Sequence, residues 1–106
     1  MEKIFKIGEV TGEYYPAIGP DGEHYRNVAL HRDIDGGFTR IYAIITKDAT
    51  GKVEVVWSHD DLTDSRVNPY YDIEYDLPRE GFWAAVKEHI AMMAAGEFPP
   101  ECMEAI

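Results

Sequence analysis

Apolar side chains along this chain come in short runs set off by turn residues. Segments 13–18, 24–32, 38–47 and 52–58 are rich in β-branched and aromatic residues, the composition of a half-buried pleated surface. Gly19-Pro20-Asp21-Gly22 reads as a tight hairpin turn, in which Pro20 presets φ and Gly22 closes a bulged loop. Asp33-Ile34-Asp35-Gly36-Gly37 and Asp48-Ala49-Thr50-Gly51-Lys52 are two further turns. Connections this short join antiparallel neighbours. Residues 3–10 and 70–76 add a strand at either end, and 59–69 reads as a polar loop. Beyond residue 76 the period lengthens, with Phe82, Val86, His89, Ile90 and Met93 recurring on one helical face. Pro78 suits a first helical turn, Asp76 and Glu80 place negative charge near it, Gly96 is a stop and Pro99-Pro100 forbids continuation. The expected architecture is one α+β domain over 1–106. It is an antiparallel β-meander of five to six strands (about 3–76), followed by one C-terminal helix (about 78–95) packed on the sheet and a short tail (97–106).

The turns also set a register. A three-residue loop at Ala49-Thr50-Gly51 puts Val53, Val55 and Trp57 opposite Ile45 and Ile41 or Ala43. A preceding loop spanning 34–37 adds Val28 and Leu30 to the same face and sets His31 opposite Arg40. This is the core face, which the helix should cover. The reverse face then carries Tyr25, Asn27, Ala29, Tyr42, Ile44, Val56 and Glu54, a set too apolar for a purely solvated surface. Either the sheet curls to pack its second side, or that face meets a partner, or the aromatic and β-branched residues stiffen a half-exposed sheet.

Charge narrows the partners. The 106 residues include 20 Asp and Glu against 10 Lys and Arg, a net charge of -10. Direct binding to a phosphate backbone or an anionic membrane surface needs the opposite sign, so neither nucleic acid nor membrane is expected. Basic proteins, cations, or a surface that normally holds nucleic acid fit better, and the acidic surface also serves solubility. The single cysteine, Cys102, forbids an intrachain disulfide, and Glu101 and Glu104 beside it argue against a reactive thiolate. No apolar run approaches the roughly 20 residues that cross a bilayer, and residues 1–6 lack a secretory apolar stretch. The expected location is cytoplasmic.

Chemistry-bearing constellations are sparse. His31 and His59 lie near several carboxylates, but strand parity sends them to opposite sides of the sheet, and their spacing matches no ligand motif. Asp60, Asp61 and Asp64 form an acidic stretch without the pattern of an EF-hand loop. No phosphate loop or nucleophile elbow is present. No metal, no cofactor and no enzymatic activity are therefore expected. The most distinctive segment is 68–76, where alternation sets Tyr71, Ile73 and Tyr75 on one side and Asp72, Glu74 and Asp76 on the other. Same-face residues of a strand lie about 6.6–7 Å apart, close to the phosphate spacing along one nucleic-acid strand. A regular carboxylate row can thus imitate a backbone to a DNA-binding protein, and it can equally guard a sheet edge.

Two functions remain open. The first is a non-enzymatic protein-binding module of inhibitor or DNA-mimic type. It would work through Asp60, Asp61, Asp64, Asp72, Glu74 and Asp76, through the reverse face (Tyr25, Tyr42, Ile44, Val56), or through both, with a basic partner or a second copy. The alternative is a small-ligand or enzymatic domain with an aromatic pocket between sheet and helix, lined by Trp57, Tyr71, Tyr75, Phe82 and Trp83.

Overall fold

The computed structural model of the chain describes residues 3–62, 73–76 and 81–98. Six strands form one antiparallel sheet in chain order: β1 (Lys3–Ile7), β2 (Val10–Ile18), β3 (His24–Ile34), β4 (Thr39–Lys47), β5 (Val53–Asp61) and β6 (Ile73–Asp76). Among the described residues one α-helix, α1 (Phe82–Ala94), follows. The α+β meander with one C-terminal helix is therefore the observed fold.

Two hairpins form as their turn residues dictate. Ile18 pairs with His24 and the Gly19 N–H donates to the Glu23 carbonyl at 2.8 Å. The Asp48 N–H donates to the Lys52 carbonyl at 3.0 Å and closes the three-residue loop 49–51. The register beyond it sets Ile45 opposite Val55 and Ala43 opposite Trp57.

Four details differ from the sequence reading. The expected strand over 3–10 is a hairpin: a two-residue turn at Gly8–Glu9 ends β1 at Ile7 and starts β2 at Val10, which pair with each other. The β3–β4 loop spans 35–38 rather than 34–37, because Asp35, Gly36 and Gly37 all take positive φ and the chain cannot turn before Ile34. His31 consequently faces Tyr42, and Arg40 faces Asp33. Moving each partner by two positions keeps every side chain on its expected face. Residues 59–61, expected in a loop, extend β5 opposite Thr39, Arg40 and Ile41, since β4 is long enough to pair them. The helix starts at Phe82 rather than near 78, because Gly81 has φ 97° and ψ 145°, outside the helical region. Its first turn holds no acidic residue, and Asp76 lies in β6. Pro78, Glu80 and the tail from 99 onward fall outside the described residues.

The core lies between one face of the sheet and α1, which crosses β2, β3 and β4. Val10, Val28, Leu30, Ile41, Ala43, Ile45, Val53, Val55 and Trp57 from the sheet meet Phe82, Ala85, Val86 and Met93 from the helix. Trp57 is fully buried, with its ring centroid 5.8 Å from His89 and 6.4 Å from Phe98. His89 is only 2% exposed, and its Nδ1 lies 2.8 Å from the Ala85 carbonyl. A carbonyl only accepts, so Nδ1 carries the hydrogen.

The helix ends as Gly96 predicts. With Gly96 at φ 75°, its N–H reaches the Met93 carbonyl and the Glu97 N–H the Met92 carbonyl, the paired bonds of a Schellman motif. Arg32 of β3 adds two bonds from the sheet, its Nη1 donating to the Met93 and Ala94 carbonyls at 2.9 Å each. A guanidinium at this end also matches the negative pole of the helix dipole.

Candidate functional site

The same strands build the opposite face. Register aligns Ile4, Glu13, Ala29, Ile44, Val56 and Glu74 in one row across β1–β6. Beside it run Lys6, Thr11, His31, Tyr42 and Ser58 on one side, and Tyr15, Asn27, Thr46, Glu54 and Asp76 on the other. Among the described residues, no element covers this face. Ala29, Tyr42, Ile44 and Val56 are half-buried by their own neighbours.

The structure brings Tyr42, Ile44 and Val56 into adjacent positions. Tyr25 shares their parity but sits four residues along β3 from Ala29, about 13 Å away, opposite Ala17. Asp60 takes a position on the same face, opposite Arg40, while Asp61 falls opposite Thr39 at core-face parity. Asp60 and Asp61 thus hold register positions of opposite parity. Glu74 and Asp76 occupy register positions opposite Val56 and Glu54, which joins the acidic strand and the apolar row into one face. Asp64, Asp72 and Tyr71 lie outside the described residues.

Polar contacts order part of this surface. Arg40 Nε donates to Asp33 Oδ1 at 2.6 Å and Arg40 Nη2 to Asp33 Oδ2 at 3.2 Å, a two-pronged ion pair. The Arg40 hydrogen bond holds the Asp33 carboxyl below the usual carboxylate range, and the Arg40 pKa is raised by the same bond, with a smaller contribution from Tyr42. Burial lowers the His31 pKa, the Arg40 charge lowers it further, and Asp33 offsets part of this. The His31 and Tyr42 rings meet at a tilt of 56° with centroids 6.0 Å apart, and Thr46 Oγ1 donates to Asn27 Oδ1 at 2.9 Å. Asp60 Oδ1 is buried with no hydrogen-bond partner among the described residues.

The residues of the aromatic-pocket reading separate. Trp57 and Phe82 belong to the packed core, whereas Trp83 is 48% exposed and leans on Tyr14 at 5.3 Å. For Tyr75 only its backbone pairing with Val55 is defined. His59 follows the core-face parity of Trp57, as expected, and is buried with Nδ1 unpartnered among the described residues. No group of three or more His, Cys, Asp or Glu among the described residues could hold a metal ion. Nor is any described helix long and apolar enough to cross a membrane.

Two clefts lie at the end of the sheet where α1 begins. One, of about 240 Å³, is lined by Lys47, Thr50, Gly51, Val53, Gly81 and Phe82. The other, of about 420 Å³, is lined by Gly22, Glu23, His24, Arg26, Lys47, Asp48 and Ala49. Sequence reasoning missed both; in the second, Arg26 and Lys47 become neighbours only through strand pairing across 21 positions.

Compared with family models, curated proteins and solved structures, the chain matches none.

Proposed function

We propose that this protein acts by binding a basic protein partner through the uncovered face of its sheet, without catalysing a reaction. The observation that carries the reading is the row Ala29, Ile44 and Val56, beside Tyr42, left uncovered among the described residues at the centre of a six-stranded sheet. An apolar centre with a charged rim is the composition of a protein interface. Charge selects the partner. Glu13, Asp33, Glu54, Asp60, Glu74 and Asp76 hold positions on this face against Lys6 and Arg40, and Arg40 is already bound to Asp33. A second copy packed face to face would present the same excess of carboxylates, which repels; a basic surface would not. Spacing of about 6.6–7 Å between the Glu74 and Asp76 positions suits partners that normally hold a phosphate backbone.

The first measurement is molecular mass by light scattering at low and high salt. A monomer at both is expected, and a salt-resistant dimer would replace the basic partner with a second copy. Proteins captured from lysate by the wild type are then compared with those captured by Ile44→Arg and by Glu74→Lys/Asp76→Lys. Basic proteins retained by the wild type, lost from both variants and released by salt support the reading. Undiminished capture by the charge-reversed variant sinks it.

A further inference from the structure

In a chain with twice as many acidic as basic residues, Arg26 and Lys47 stand directly opposite each other on β3 and β4. Both share the parity of Val28 and Ile45, the helix-covered face, so the site lies apart from the interface proposed above. Directly opposed strand residues have Cβ atoms about 5 Å apart, and like charges on such a pair are destabilising. Neither cation has a carboxylate within ion-pairing distance among the described residues.

Both cations line the 420 Å³ cleft, a volume within the range of small-ligand sites, about 300–1,000 Å³. Two carboxylates share its walls, and both are turned into their own loops. Glu23 Oε2 accepts from the Asp21 N–H at 3.1 Å. Asp48 Oδ1 accepts from the Thr50 N–H at 2.9 Å, the Thr50 hydroxyl at 2.6 Å and the Lys52 N–H at 3.0 Å. Among the described residues the cleft thus holds two cations that no carboxylate ion-pairs, with His24 also in its lining, while Glu23 and Asp48 keep their charge but direct oxygens to loop donors.

We propose that this cleft binds a phosphate group, free or carried on a small organic ligand, between Arg26 and Lys47. The guanidinium fork matches two phosphate oxygens and the ammonium acts as a point charge on a third. The oxygens of one phosphate can engage both cations at once, whereas a carboxylate has two oxygens and fills the Arg26 fork alone. Binding would also turn an unfavourable like-charge pair into a favourable triad, so ligand and fold should stabilise each other.

The test is an amide NMR titration with inorganic phosphate, phenyl phosphate and acetate, ionic strength held constant with sodium chloride. Saturable shifts confined to residues 22–26 and 47–49 are expected with both phosphates. Tighter binding of phenyl phosphate would identify an ester as the source, and equal affinities free phosphate. Lys47→Glu should weaken binding by at least about tenfold. That variant should melt no lower than the wild type without ligand, because it replaces like charges with opposite ones. Absence of saturable shifts, equal affinity for acetate, or unchanged affinity in a folded Lys47→Glu protein would each overturn the assignment.

Discussion

The two faces of this sheet are cut from the same strands, alternate residue by alternate residue, yet among the described residues only one is closed. On the helix side, Leu30, Ile41, Ile45, Val55 and Trp57 are fully buried. On the other side their immediate neighbours Ala29, Tyr42, Ile44 and Val56 stop at half burial. Strand composition does not separate them, since both rows are apolar or aromatic. What separates them is α1, which has one apolar stripe and can cover one face. The closed face answers to stability, and the open one is the face proposed above for partner binding.

The sharpest way to break this comparison is to truncate one side chain from each face. Trp57→Ala should cost about 3–5 kcal/mol, because a fully buried ring leaves a cavity that the surrounding sheet and helix cannot close. Ile44→Ala should cost about 1 kcal/mol or less, because a half-exposed side chain leaves little cavity. Chemical denaturation of both variants measures the difference. Equal losses would mean that the second face is packed as tightly as the first, and the comparison would fail.

A smaller effect tests how the closing helix is held. Arg32 reaches the end of α1 from β3, across 61 and 62 positions of sequence, to bond the Met93 and Ala94 carbonyls. Arg32→Gln should cost about 1–2 kcal/mol, from two charge-assisted bonds and the dipole interaction. Amide exchange should rise first in the last turn of α1. Arg32→Lys should recover part of the loss by charge alone, while an unaltered exchange rate in Arg32→Gln would leave the Schellman turn as the sole anchor.

What could be read from residues alone follows from how local each signal is. The core face was legible because Val53, Val55 and Trp57 alternate next to a glycine-closed loop, so parity and turn agree over a few residues. The stop at Gly96 was legible for the same reason. The turn at Gly8–Glu9 was not, because two residues inside a strand-like run carry a single glycine as their signal. Pro78 and Glu80 pointed to an early helix start, and Gly81 opposed them through a backbone angle that only the fold reveals. The merging of the Glu74 and Asp76 positions with the Ile44 and Val56 face needed the β5–β6 register. Arg26 beside Lys47, and Arg32 under α1, depend on pairings between distant segments, for which neighbouring residues offer no pattern.

The smallest effect is a pH dependence that belongs to the open face. His31 is half-buried there, opposite Thr11 of β2 and Tyr42 of β4, with Arg40 and Asp33 as its charged neighbours. Burial, then the Arg40 charge, lowers its pKa from 6.5. The unfolded chain therefore protonates His31 first as pH falls, and stability declines from about pH 7 until the folded value is passed. Asp33 follows at lower pH. Its carboxyl is held below 3.8 by the Arg40 hydrogen bond, so its contribution is complete above that value and disappears as pH drops through the folded pKa. With side chains 43% and 33% exposed, the Asp33–Arg40 pair contributes about 0.2–1 kcal/mol after solvent screening. Urea unfolding across this range should show two shallow acid losses, the upper one absent in His31→Gln and the lower one absent in Asp33→Asn. An upper loss that survives His31→Gln would detach that part of the pH response from the open face.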